Sequence, residues 1–174
     1  MIVTGKDRSS MLPTRRGFTL VEALLASSIL AMAILALTLP FTAAAQNQRA
    51  DGQMTVAAAL AQELVDEILT KPFYDPQGGG LTPGPEPGES GRSLFDNIDD
   101  YHGYSESAGN VTNAAGEVCT DALATGLSRS ATAEYVRVAG QSDTDPLTFV
   151  RVTVTVSYPN ETVVSLSRLV YAME

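Results

Sequence analysis

From Ala23 to Gln48 the chain carries no Asp, Glu, Lys, Arg or His. Between Ala23 and Ala45 the only polar side chains are Ser27, Ser28, Thr38 and Thr42. At ~1.5 Å per residue that span makes a helix of ~34 Å, enough to cross a hydrocarbon core of ~30 Å. The residues before it are polar and net basic, with Lys6, Arg8, Arg15 and Arg16 against Asp7. A basic flank stays cytoplasmic, so the rest of the chain is expected outside. Met11 is a second plausible start; it leaves a short leader from Met11 to Gly17.

One residue breaks the apolar pattern. Glu22 is a carboxylate within an otherwise uncharged stretch, where ionisable groups cost a few kcal/mol and imply a partner. That partner has to be a cation, and the neighbouring side chains offer none. A free amine at a newly cut N-terminus would supply it.

Gly17-Phe18-Thr19-Leu20-Val21-Glu22 resembles the processing motif of type IV pilin-like proteins, with all six positions matching. The resemblance implies cleavage between Gly17 and Phe18 by an inner-membrane prepilin peptidase. It also implies methylation of the Phe18 amine by the same enzyme, and Glu22 as the carboxylate needed for assembly. The physical logic agrees. Glycine before the cut leaves the backbone unhindered. An unpaired buried carboxylate is penalised, so pairing Glu22 with the Phe18 amine of a neighbouring subunit would set helix register. Pro40, near the end of the apolar run, is expected to kink the helix by removing one backbone hydrogen bond. Neighbouring helices make that tolerable in a membrane.

Two other readings compete for these residues. Thr14-Arg15-Arg16-Gly17-Phe18-Thr19-Leu20 also resembles a twin-arginine export signal, and Ala43-Ala44-Ala45 before Gln46 resembles a signal peptidase site. Against them, Glu22 interrupts the run, the run exceeds the ~7–15 residues usual for such a signal, and helical patterning continues past residue 46. A plain single-pass anchor explains the run but leaves Glu22 and the Gly17-Phe18 junction unexplained.

Beyond Gln48 the pattern becomes amphipathic. Met54, Ala57, Leu60, Ala61, Leu64, Val65 and Ile68 recur at steps of three and four, which predicts one buried stripe from Arg49 to Thr70. Gly52 weakens the helix locally, and Lys71-Pro72 ends it. A helix from Phe18 to about Thr70 would be ~80 Å long. Residues 72–92 form a Pro/Gly loop without periodicity. Residues 107–130 are small and polar, and Cys119 falls on no clear element. Strands are expected over Glu134–Ala139, Leu147–Tyr158 and Val163–Ala172. In the second of these, Val150, Val152, Val154 and Val156 face one way. A turn at Tyr158-Pro159-Asn160-Glu161 joins the last two. The expected fold class is α+β: a long N-terminal helix, apolar then amphipathic, packed on a small C-terminal antiparallel sheet. The expected division is a cleaved leader at 1–17, a transmembrane or filament-core helix at 18–48, an amphipathic helix at 49–71, a variable loop region at 72–130 and the sheet at 131–174.

Asp96, Asp99, Asp100 and Glu106 could offer oxygens to Ca²⁺, but their spacing fits no EF-hand. A solvated acidic turn, anchored by Phe95, Ile98, Tyr101 and Tyr104, is the simpler expectation, with no metal and no cofactor. His102 is expected to hydrogen-bond rather than catalyse. The single Cys119 excludes an intramolecular disulfide and is expected to behave as a small buried residue. No Ser/His/Asp set, metal-spaced His/Cys set or phosphate loop is present, so no catalytic residue is assigned and an enzyme is not expected.

Net charge sharpens the partner classes. The whole chain carries −9. Removing the four cations and one anion of residues 1–17 leaves −12, from 7 Lys+Arg against 19 Asp+Glu. Such a chain is a poor candidate for binding a phosphate backbone, so no nucleic acid contact is expected in the secretion reading. The expected function is that of a minor pseudopilin in type II secretion. The alternative is a minor pilin of a type IV pilus, or, from a different class, a membrane-anchored exported binding protein. Expected partners are the prepilin peptidase, other pilin or pseudopilin subunits and the inner membrane, with the C-terminal part in the periplasm.

Overall fold

The computed structural model describes residues 17–78, 80–159 and 161–172. The expected leader at 1–17 lies, apart from Gly17, outside the described residues. The chain divides into two compact units between Ala45 and Gln46. One helix, α1, spans Leu20–Leu69 and stays helical through Pro40.

In the first unit every described large apolar side chain of α1 is exposed, Phe41 at 72% and Leu24 at 64% among them. Such a surface is stable only against lipid or other apolar helices. Its hydroxyls do not spoil it. Ser27 Oγ donates to Ala23 O at 2.8 Å, Ser28 Oγ to Leu25 O at 2.8 Å, and Thr38 Oγ1 to Leu35 O at 3.0 Å. Each hydroxyl is satisfied by the preceding helical turn, which an apolar environment requires.

In the second unit α1 buries Ala57, Leu60, Ala61, Leu64, Val65 and Ile68 in one cluster with the sheet valines. The helix ends where Thr70 N–H and Lys71 N–H donate three residues back, to Glu67 O and Ile68 O. Pro72 then prevents continuation. Short 3-10 turns follow at Arg92–Leu94 and Asp99–Tyr101. The sheet is an antiparallel meander in the order β1-β2-β3-β4, with β1 Ser105–Glu106, β2 Ser128–Val136, β3 Phe149–Tyr158 and β4 Glu161–Tyr171. Val150, Val152, Val154 and Val156 are all buried on one face of β3. Ala131 and Ala133 of β2 lie opposite Val154 and Val152 in register.

The structure differs from the sequence-based expectation in three places. The sheet has four strands rather than three, and its second strand begins at Ser128, not at 131 or 134. The inward positions of that stretch hold Arg129, Ala131 and Ala133, so a charge and two small residues conceal the alternation. Second, Met54 is 58% exposed. A Cβ at Gly52 would sit 3.0 Å from Leu123 Cδ1, so this turn faces the 107–126 loop through Gly52. Residues two apart on a helix lie ~160° apart, which turns Met54 outward. Third, Asn97, Asp99 and Asp100 are buried, so the acidic segment is not a solvated turn. Its aromatic anchors do pack as expected: Phe95 and Tyr101 meet edge to face at 5.0 Å, and Tyr104 lies 6.1 Å from Tyr101.

Leu64→Ala is expected to destabilise the second unit by ~2–5 kcal/mol. Met54→Ala is expected to change it by less than about 0.5 kcal/mol. Chemical denaturation of the full chain in detergent, followed by far-UV circular dichroism, separates the two. Equal effects would contradict the burial pattern.

Candidate functional site

The junction residues take a definite arrangement. Gly17, Phe18 and Thr19 are outside the helix, which starts at Leu20. Phe18 is 76% exposed. Thr19 caps the helix: its Oγ1 accepts the Glu22 N–H at 3.2 Å and its carbonyl accepts the Ala23 N–H at 3.0 Å. Glu22 therefore occupies the first helical turn. A carboxylate there faces the positive end of the helix dipole, which offsets part of its cost in an apolar setting. The Gly17-Phe18 peptide is exposed, nonhelical backbone, the form in which a peptidase can take a substrate. The Thr-x-x-Glu spacing from Thr19 to Glu22 is the sequence signature of such a cap.

In the second unit the polar groups converge on Arg129, which is 1% exposed. Its Nε donates to Glu106 Oε2 at 2.6 Å, Nη1 to Leu60 O at 2.9 Å and Nη2 to Thr112 O at 2.7 Å. Glu106 Oε1 accepts from Thr112 N–H at 3.0 Å and Thr112 Oγ1 at 2.5 Å. Arg92 pairs with Glu67 and approaches Glu106 at 3.5 Å, and Tyr101 OH donates to Glu67 at 2.7 Å. Burial pushes the Glu106 carboxyl up, but the Thr112 hydroxyl and the Arg129 charge outweigh it and hold it below the usual range. Glu67 is likewise lowered, burial being overcome by bonds from Arg92 and Tyr101.

The four acids considered as a calcium set are not brought together. Glu106 belongs to Arg129. Asp99 Oδ2 accepts from Tyr135 OH at 3.2 Å, and Asp96 Oδ2 accepts from Gln77 Nε2 at 2.7 Å. Asp100 Oδ2 accepts the N–H groups of Asp96 and Asn97 at 2.8 and 3.0 Å. Among the described residues one group could hold a metal ion: Glu86, Glu89 and Asp100. Desolvation, with the Glu89 and Asp100 carboxyls, pushes Glu86 up to about 7.

His102 Nδ1 lies 2.8 Å from Ala133 O, so this nitrogen carries the proton and donates it to strand β2. Cys119 is half-buried against the core, its N–H donates to Val111 O at 2.8 Å, and burial pushes its thiol up. A thiol so placed is a poor nucleophile.

Residues 12–38 match the family model for the prokaryotic N-terminal methylation motif. The matched span takes in Gly17, Phe18 and Glu22. No curated protein and no solved structure matches the chain. With one long N-terminal helix and a small antiparallel sheet, the match supports a type IV pilin-like family. It implies a precursor processed by a prepilin peptidase and assembled with other pilin subunits. Together with the exposed apolar helix, it fits an inner-membrane anchored protein.

The ion network carries a pH signature. Glu106 and Glu67 have folded pKa values below their unfolded value of 4.5. Their stabilisation is present above that value and is lost as pH falls through the folded pKa values. The thermal midpoint of the full chain in detergent is expected to fall as pH is lowered from 4.5. Glu106→Gln should lower the midpoint near neutral pH and shrink the acid-induced fall. An equally steep fall in the variant would remove Glu106 from that role.

Proposed function

We propose that the chain is a structural subunit, a minor pseudopilin of a type II secretion system, and not an enzyme. A prepilin peptidase cuts it between Gly17 and Phe18 and methylates the Phe18 amine. The apolar half of α1 rests in the inner membrane with residues from Gln46 onward in the periplasm. It then joins other pseudopilins as a filament-core helix, where Glu22 pairs with a neighbour's Phe18 amine.

The observation that carries this reading is the junction itself. The exposed Gly17-Phe18 peptide ends where Thr19 caps the helix, and the one carboxylate of the apolar span lies in the next turn. An export signal or a plain anchor needs neither the cap nor Glu22. Within pilin-like functions, the absence of a disulfide loop and the modest size of the second unit favour a pseudopilin or minor component over a major adhesive pilin.

Intact mass and N-terminal fragmentation of the protein from its native host are expected to give a chain starting at N-methylated Phe18. A start at Gln46 would overturn the reading. Deleting the gene should lower the amount of secreted protein in the medium while surface pili persist. Loss of pili with secretion intact would instead identify a minor pilin.

Glu22→Ala is expected to leave membrane insertion and cleavage unchanged. It should reduce recovery of the chain in sheared filaments or subunit cross-links by roughly tenfold, on the order of 1.4 kcal/mol of pairing. Undiminished recovery would remove Glu22 from register setting.

A further inference from the structure

We propose that the free edge of β4 is a docking site for an extended segment of a different protein, with apolar residues at alternate positions and a carboxylate among them, which joins the sheet as an added strand. β4 is the last strand of the sheet and runs for 11 residues, Glu161–Tyr171. Thr148 O accepts the Ala172 N–H at 2.9 Å, which fixes the groups that face β3. Backbone groups alternate sides along a strand. Val170, Arg168, Leu166 and Val164 therefore turn theirs to β3, and Leu169, Ser167 and Ser165 turn theirs outward. Among the described residues those three N–H groups meet no acceptor. All three residues are exposed, and Ser167 O is met by the exposed guanidinium of the adjoining Arg168 at 3.2 Å. A row of alternating donors and acceptors is matched along its length by another extended chain.

The two edges of the sheet are built differently. Edges are ordinarily blunted by short strands, Pro, Lys, bulges or inward charges. β1 is two residues long, and its Glu106 turns inward to Arg129. β4 is long, holds no Pro or Lys, and has its register shift at the hairpin end, opposite Val156 and Ser157. The core is also open along it. Val150, Val154 and Val156 of β3 are fully buried, whereas their partners Val170, Leu166 and Val164 are only partly buried against the same cluster. Apolar residues at alternate positions of an added strand would cover them.

Arg168 selects the partner. It lies opposite Val152, at a core-facing register position, yet it is exposed. Of the sheet's cations, Arg129 is bonded to Glu106 and Arg151 lies opposite Glu134. Arg168 forms no ion pair among the described residues. An inward cation at an edge bars a wholly apolar strand, and a carboxylate on the incoming strand lifts that bar. A second copy of this chain fits poorly. It brings Arg168 itself to the edge, on a chain that from Phe18 onward holds 7 Lys+Arg against 19 Asp+Glu, so two copies repel. The inference does not depend on filament assembly or on cleavage at Gly17-Phe18.

The test uses the full chain in detergent and synthetic peptides of about nine residues that alternate Val with Thr. One peptide carries Glu in place of a central Val, and a second carries Lys there. Binding is read by fluorescence anisotropy, and amide hydrogen exchange is followed residue by residue. The Glu peptide is expected to bind saturably, at least about tenfold more tightly than the Lys peptide. It should slow exchange at Ser165, Ser167 and Leu169. Arg168→Glu should keep the thermal midpoint and reverse the preference between the two peptides. Ser167→Pro removes an N–H that β3 does not use, so it should keep the sheet and abolish binding of both peptides. No saturable binding up to about 1 mM peptide would overturn the site. Equal binding of the two peptides, or slowed exchange only outside β4, would do the same. A concentration-dependent dimer that Ser167→Pro abolishes would overturn the foreign partner and give the edge to a second copy.

Discussion

The second unit is organised around one buried guanidinium. Arg129 projects from β2 into the interior and uses Nε, Nη1 and Nη2 on Glu106, Leu60 O and Thr112 O. Those acceptors lie on β1, on α1 and in the loop between β1 and β2. Removing one partner from such a site leaves a buried charge uncompensated, at a cost of ~3–5 kcal/mol. Helix, edge strand and loop must therefore be in place together. Glu106 extends the circuit to Arg92, and Arg92 returns it to the helix through Glu67. This explains how a loop with no hydrophobic pattern holds a fixed course against α1.

The two acidic clusters are treated differently by the same fold. Glu67 and Glu106 share two arginines and sit below their ordinary pKa. Glu86, a short distance along the chain, has only other carboxyls and is raised. Both sets are partly or wholly buried, so burial alone does not distinguish them. The presence of a counter-charge does. The chain has few cations beyond residue 17, and those that reach the interior are already committed to the Arg129 circuit.

What the sequence disclosed follows from periodicity and local chemistry. The uncharged run, the stripe from Ala57 to Ile68 and the alternating valines of β3 each follow a simple rule, and they form the expected helix, buried helix face and buried strand face. The start of β2 was hidden because Arg129 occupies an inward position, and inward charges break the rule by which strands are read. The rotation of Met54 depends on where Leu123 lies, far along the chain, so no local pattern carries it. The burial of Asp99 and Asp100 is equally nonlocal: it is set by the loop that Gly84 pins onto the 3-10 turn. At the junction, the six-residue motif was legible but the cap was not separated from it.

The size of the Glu22 effect limits what it does in the proposed assembly. An ionised side chain at mid-membrane costs ~2.5–3.5 kcal/mol on insertion scales. Position in the first helical turn returns ~0.3–1 kcal/mol, up to ~2 in a partly buried setting. The remainder is about 0.5–3 kcal/mol, and less where the carboxylate lies near the edge of the apolar span. A penalty of that size does not prevent a helix with this much exposed apolar surface from entering the membrane alone. Yet each 1.4 kcal/mol recovered from a neighbour's amine shifts the preference for the paired register about tenfold. The unpaired carboxylate thus stores a modest bias rather than a barrier. The bias would be directional, because the helix cap holds Glu22 one turn from the N-terminus that the proposed cleavage leaves.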